Sequence, residues 1–231
     1  MKRPYVICHM ASTVDGKIIV DNWGDSYKRF GSLYEQCHDS FDSQAWMVGR
    51  VTMEKDFTEG LQPTLIQAPK PIDRIPFKGD EQASSFAIAV DPRGKLGWES
   101  NEIEGDHVIE LLTEPVSDDY LQYLQQQGVS YLFAGKDSID FGKALEQLQE
   151  VFGIKTLMLE GGGHINGSLL NDGLIDELSL LILPLADGTP DAPTTFEVSK
   201  HLTKNGVTEL KLTGVEQLAQ DVLWLKYTTK R

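Results

Sequence analysis

Cysteine is nearly absent from this 231-residue chain: Cys8 and Cys37 are the only two, with no CxxC pair, too few for a disulfide framework. Both are expected to be reduced, buried thiols. Long apolar runs are missing as well. The longest, Leu178 to Ala186, has nine residues and contains Pro184, where a membrane helix needs about 20. Lys2 and Arg3 precede an apolar stretch, but His9 and Asp15 break it too early for a secretory signal, so cytoplasmic residence is expected. Positive charge is scarce: 21 Lys and Arg against 35 Asp and Glu leave a net charge of −14, which disfavours nucleic acid and anionic membranes as partners. An anionic small molecule stays compatible where backbone N–H groups and a few cations outweigh that field. The five histidines (His9, His38, His107, His164, His201) are scattered and form no HExxH or clustered zinc site, so no metal is expected.

What is present is the profile of a globular protein, 40% hydrophobic and 24% charged, and the length fits one domain over residues 1–231. Tyr5–Cys8 reads as a strand buried on both faces. Ser32 and Glu35 form an S-x-x-E capping box for a helix with Leu33, Cys37 and Phe41 on one face. Ala45–Val48 is the next buried strand. From Thr58 to Ser85 no periodicity survives and four prolines fall close together, which predicts a long loop of the lid or linker kind. Strands follow at Phe86–Val90, His107–Leu112, Tyr131–Phe133 and Lys155–Leu159. Helices are expected from a Ser117 N-cap through Gln127 to a Gly128 stop, over Phe141–Phe152 to Gly153, and over about Ile165–Leu170. Leu178–Leu185 is a buried strand, and Glu209–Leu218 with Val222–Thr228 an antiparallel pair turning near Gln220-Asp221. The order predicts an α/β fold, with a mostly parallel central sheet flanked by helices and an antiparallel C-terminal edge.

Three strand ends carry the chemistry. Glu160-Gly161-Gly162-Gly163 joins a strand to a helix: the glycines allow close backbone approach, and their N–H groups with the helix start suit a phosphate or pyrophosphate. The plain alternative is a tight strand-to-helix turn. Glu160 would oppose a phosphate, so it is expected to point elsewhere and accept from a substrate's hydroxyl or amino groups, or to partner the following helix dipole. Thr13-Val14-Asp15-Gly16-Lys17 leaves the first strand with Asp15 as an acceptor, although D-G is foremost a turn dipeptide. Gly49-Arg50-Val51-Thr52 opens a short helix and could supply N–H groups and a hydroxyl to another phosphate, or simply cap that helix.

Taken together, T-x-D-G-K at Thr13–Lys17, G-R-x-T-x-x-x-D at Gly49–Asp56, V-D-x-x-G-x-L at Val90–Leu96 and L-E-G-G-G-x-x-x-G-S-L-L…G-L-I-D-E-L at Leu159–Leu178 resemble the C-terminal reductase domain of the bacterial riboflavin-biosynthesis deaminase-reductase, of the dihydrofolate reductase-like family. The resemblance spans nearly the whole chain, and its last motif is the most specific. It implies an NADPH-dependent oxidoreductase that reduces the ribosyl group of a 5-phosphoribosylamino-pyrimidine to ribityl, commonly as a homodimer; the zinc motif of a deaminase half is absent. By position it implies that Ala11, Thr52, Asp56 and the Gly162–Ser168 stretch, with His164, Ile165 and Asn166, contact the dinucleotide, the pyrophosphate lying on Gly161, Gly162 and Gly163 with Arg50 beside the second phosphate-type turn. Thr13, Ser26 and Glu160 would serve the substrate, and Lys28 stands where the family often has a Trp near the nicotinamide.

The departures are specific. Pro92 replaces the Ser that often meets the adenosine 2′-phosphate, which leaves Arg93 as its substitute and NADH open beside NADPH. Ser40 and Phe41 occupy the region of the substrate-phosphate arginine on the first helix. A second arginine expected soon after Asp56 is missing unless Arg74 or Lys70 replaces it. Hydride transfer to an imine or carbonyl carbon requires approach within about 3–3.5 Å, with Asp15, Glu160 or a water as proton donor. Two other readings stand beside this one: a dihydrofolate-type reductase, which needs a buried carboxylate on the first helix (Asp39 or Asp42), and a non-catalytic dinucleotide-binding protein of the same fold. The C-terminal strand residues Leu223, Trp224, Leu225 and Tyr227 are expected in the sheet or core, or secondarily at a dimer interface.

Overall fold

A computed structural model of the chain describes residues 2–198, 202 and 206–230; His201 lies outside them. Elements follow the chain as β1 (Tyr5–Thr13), α1 (Ser26–Asp39), β2 (Ala45–Gly49), α2 (Arg50–Asp56), β3 (Phe86–Val90), β4 (Glu102–Ile103), β5 (Asp106–Leu112), α3 (Asp118–Gln127), β6 (Ser130–Phe133), α4 (Phe141–Phe152), β7 (Thr156–Leu159), α5 (Gly163–Asn171), β8 (Glu177–Leu183), β9 (Leu210–Gln217) and β10 (Leu223–Thr229). The architecture is α/β, mostly parallel, with an antiparallel C-terminal edge. Two compact units, central and flanking by their place in the sequence, divide the chain: the central unit, Gln44–Leu157 with Met1–Pro4, and the flanking unit, Tyr5–Ser43 with Met158–Arg231.

In the central unit β2 pairs parallel with β3, β3 with β5 and β5 with β6, while the short β4 runs antiparallel to β5. Every residue of β2, β3 and β6 is buried, which is why their sequences show continuous apolar runs rather than alternation. Ser117 caps α3 by accepting from the Tyr120 N–H, and Gly128 ends it in the left-handed region; Asp140 and Gly153 bound α4 in the same way. The segment from Thr58 to Ser85 holds no helix or strand, as its prolines predict, but it is tied down. Arg74 donates to Asp118 and to the carbonyls of Ile72, Glu114 and Val116. Asp119 accepts from the Ala68 N–H, Phe77 bridges to Tyr131, and the Gly79 N–H donates to Ser130.

In the flanking unit β1 pairs parallel with β8, β10 antiparallel with β8, and β9 antiparallel with β10. The β9–β10 turn places Gln220 and Asp221 both at positive φ, 61° and 62°, the geometry that hairpin turns favour. Trp23, Phe30, Cys37, Leu181, Leu183, Val222 and Trp224 form its core, with Ala11, Leu33 and Phe41 packed against it. Both cysteines are free and buried.

One expected boundary moves. Helix α1 starts at Ser26, with Asp25 as its N-cap residue and no side-chain cap, so Ser32 and Glu35 lie in its interior and form no capping box. The apolar stripe, which packs on β8 and β10, outweighs the local cap signal, and Phe41 joins that stripe from beyond the helix end.

Candidate active site

The T-x-D-G-K segment is built into a loop-holding device in the flanking unit. Thr13 Oγ1 accepts from the Lys17 N–H at 3.0 Å and donates to Asp15 at 2.6 Å. The Asp15 carboxylate accepts from the Asp187 and Gly188 N–H groups at 3.1 and 2.8 Å, and Lys17 Nζ donates to the Ala192 carbonyl. The Thr13 hydroxyl and those two amides hold Asp15 well below the usual carboxylate range. An anion so stabilised carries no proton near neutral pH, so Asp15 does not fit the proton-donor role expected of it.

The same loop continues onto the start of α5. The Glu197 N–H donates to the Gly163 carbonyl at 2.8 Å, and Asn166 Nδ2 donates to the Thr195 carbonyl at 3.0 Å. A Cβ on Gly163 would lie 2.4 Å from the Thr194 oxygen, and one on Gly167 2.3 Å from the Glu197 oxygen. These glycines therefore admit protein backbone, and Asn166 is buried against the same segment, which leaves its side chain no dinucleotide to reach. Gly162 differs: its φ is +82°, no side chain caps the helix it opens, and the space beyond its Cα is open. The helix start can take an anion there. His164 is exposed and Ile165 half-buried beside it.

Glu160 lies between β7 and this turn. Its Oε1 accepts from the Tyr34 hydroxyl at 3.2 Å and from His38 Nδ1 at 2.7 Å. His38 sits in the last turn of α1, and the hydrogen bond it donates to Glu160 raises it above the ordinary histidine value. Behind it, His9 on β1 is fully buried, 4.3 Å from the Tyr34 ring. His9 Nε2 faces the Tyr34 carbonyl and so carries the proton, while Nδ1 accepts from Ser179 Oγ at 2.9 Å, and that hydroxyl in turn accepts from Trp224 Nε1 at 2.8 Å. Burial pushes His9 down, keeping it neutral. In the sequence these histidines are scattered, and His9 and His38 meet only through the β1–α1 packing; the one local signal is the i, i+4 spacing of Tyr34 and His38.

Other expected residues are more ordinary. Ala11 packs on the flanking core. Ser26 is half-buried at the start of α1, and exposed Lys28 pairs with Asp25. In the central unit, Arg50 pairs with Glu54 along α2, Thr52 is half-buried and Asp56 exposed on the same helix, and Arg93 is exposed after the Asp91 turn. Arg74 donates from all three nitrogens to the chain itself, so it does not replace a substrate-phosphate arginine. Near Ser40, in the region where the resemblance places such an arginine, Phe41 stacks edge-on against Trp224. Asp39 and Asp42 are both exposed, which removes the buried carboxylate that a dihydrofolate-type reductase requires.

Residues 4–224 match the family described as the RibD C-terminal domain. A 2,5-diamino-6-ribosylamino-4(3H)-pyrimidinone 5′-phosphate reductase of Aquifex aeolicus is 30% identical over 200 residues, 84% of this chain and 83% of that one. The enzyme of the same name from Methanothermobacter thermautotrophicus is 27% identical over 99% of both chains. Among solved structures, a pyrimidine reductase-like protein of Corynebacterium diphtheriae superposes with a TM-score of 0.69 at 17% identity, covering 99% of this chain and 92% of that one, a likeness of fold.

Proposed function

Since the chain belongs to the RibD C-terminal domain family, we propose that it is an NADPH-dependent reductase of riboflavin biosynthesis that converts the ribosyl group of a ribosylaminopyrimidine 5′-phosphate to ribityl. The observation that carries this reading is the Glu160–Gly162 turn, where among the described residues one carboxylate oxygen has no hydrogen-bond partner and no side chain caps the adjoining helix start. Bound there, the reduced nicotinamide would supply a hydride. The chain's own part is to bind and orient. Gly161, Gly162 and the first turn of α5 hold pyrophosphate by N–H groups and helix dipole, with His164 and Ile165 alongside. Thr52, Asp56 and Arg50 on α2 are assigned to the dinucleotide, and Arg93, in place of a hydroxyl, to the adenosine 2′-phosphate. Glu160 Oε2 accepts from the substrate's amino or hydroxyl groups, and Ser26 and Lys28 belong to the substrate side. A homodimer in the cytoplasm completes the proposal.

Titration of nicotinamide fluorescence with NADPH and NADH, followed by addition of the ribosylaminopyrimidine phosphate, tests it. Expected are tighter NADPH than NADH binding, weakened selectively by Arg93→Ala, and loss of nicotinamide absorbance on substrate addition. Binding of neither dinucleotide would leave the turn merely structural and end the reading; binding without turnover would favour a non-catalytic dinucleotide-binding protein.

A further inference from the structure

The proposed reduction leaves one requirement unassigned. C1′ of a ribosylamine bears both nitrogen and the ring oxygen O4′, so it can accept a hydride only once O4′ has left, and an alkoxide leaves poorly unless protonated. Glu160 is committed elsewhere, since its Oε1 accepts from both Tyr34 and His38. Asp15 is held ionised by the loop it organises.

The group with the right connectivity is His38. Its Nδ1 lies 2.7 Å from Glu160 Oε1, an acceptor, so Nδ1 bears hydrogen, and Nε2 has no protein partner among the described residues. The side chain is 20% exposed: solvent can reprotonate it, yet its ring is held. It sits in the last turn of α1, where the helix dipole favours a cation. Glu160, Glu35 and Asp39 bear on it as anions; the neutral groups facing it are Tyr34, which burial keeps protonated, and His9, whose ring centroid is 6.2 Å away. We infer that His38 is the general acid that opens the ribosyl ring, with Glu160 orienting its imidazole and binding substrate through the other oxygen. The inference rests on the reductase reading above.

The step balances. The Nε2 proton of the imidazolium passes to O4′ as the C1′–O4′ bond breaks with its electron pair going to oxygen. The lone pair on the exocyclic nitrogen forms the C1′=N double bond, so positive charge moves from imidazolium to iminium. The neutral imidazole then regains a proton from solvent. What remains for the reduction is one hydride at C1′, returning the double-bond pair to nitrogen.

The test uses the full chain with NADPH and the ribosylaminopyrimidine phosphate. His38→Gln should lower kcat by about 100-fold or more with NADPH affinity unchanged. In the wild type kcat should fall as pH rises through the raised His38 value, because the acid must be protonated. Glu160→Gln keeps the imidazole but removes its anion, so the basic limb should move to lower pH. Independently of activity, the His38 ring resonances in NMR should titrate at lower pH in Glu160→Gln than in wild type. Wild-type turnover together with a His38→Gln variant that keeps kcat and the basic limb overturns this inference alone. An unmoved NMR titration in Glu160→Gln overturns it too, even where His38→Gln folds poorly. No turnover by wild type overturns the reductase reading and this inference with it.

Discussion

Glu110 shows how one buried proton can be located from its neighbours. It is wholly buried on β5, and its Oε1 faces both Trp98 Nε1 and the Tyr120 hydroxyl, while that hydroxyl also lies 2.8 Å from the Leu96 carbonyl. Tyr120 has one proton to give. If Glu110 is neutral it donates to the Tyr120 oxygen and Tyr120 donates to Leu96, so each of these contacts has its own proton and only Glu110 Oε2 is left without a partner among the described residues. Burial, and then the nearby Asp91 charge, push Glu110 well above the ordinary carboxylate range, in agreement. The folded state therefore holds a proton that the unfolded chain gives up above about pH 4.3. Stability is lost as pH rises from there, by up to about 1.4 kcal/mol per pH unit until the folded value is reached. Glu110→Gln cannot ionise, so its stability relative to wild type should climb between pH 5 and pH 8 in urea unfolding, whatever its offset at pH 5. A difference that stays flat would mean Glu110 is ionised in the fold.

At the scale of elements, two helical glycines separate propensity from packing. Gly31 lies inside α1 with nothing within 4 Å of a Cβ built on it. Gly31→Ala should therefore stabilise by about 0.5–1 kcal/mol, since alanine loses less backbone entropy. Gly167 lies inside α5, where a Cβ would meet Glu197 backbone atoms at 2.3 to 2.8 Å. Gly167→Ala should cost about 1–3 kcal/mol as that backbone shifts, and should speed proteolysis of the segment around residues 194–197. Thermal melts of the two variants give opposite signs if this is right. The Thr58–Ser85 segment makes a related point. Proline content foretold the loss of periodicity, but Arg74 and Asp118 decide that the segment is a tethered strap, because their pairing joins residues 44 positions apart.

For the molecule as a whole, the histidines set pH dependence in two opposed directions. Burial lowers His9 and His107 below the ordinary value of 6.5, whereas Glu160 raises His38. Below about pH 6.5 the unfolded chain binds protons at His9 and His107 that the fold refuses, so stability falls as pH drops from neutral. The His38 contribution is fully present below that value and is lost as pH rises through its raised one. Glu110 slopes the opposite way over the same acid range, so the histidine contribution is read by difference: unfolding free energies at a series of pH values should rise less steeply from acid pH towards neutral in His9→Gln than in wild type, with the basic side unchanged. An acid slope unchanged in His9→Gln would show that His9 is protonated in the fold.

Sequence by itself determined the α/β order, the all-buried β2 and β3, the caps at Ser117, Gly128 and Gly153, the C-terminal hairpin and the family. Each of these depends on short-range periodicity, on turn chemistry or on motifs that survive in linear order. It also pointed to Glu160, because a carboxylate before three glycines is locally anomalous. Only tertiary structure decided what those residues touch: that Asp15 holds the 187–188 loop, that Gly163 and Gly167 admit the 194–197 backbone, that Arg74 is engaged by α3, and that His38 meets Glu160. Such contacts join residues as many as 175 positions apart, and hydrogen-bond partners over that range leave no periodic trace in the chain. Periodicity records which face of an element is buried, not which polar atom waits on the other side.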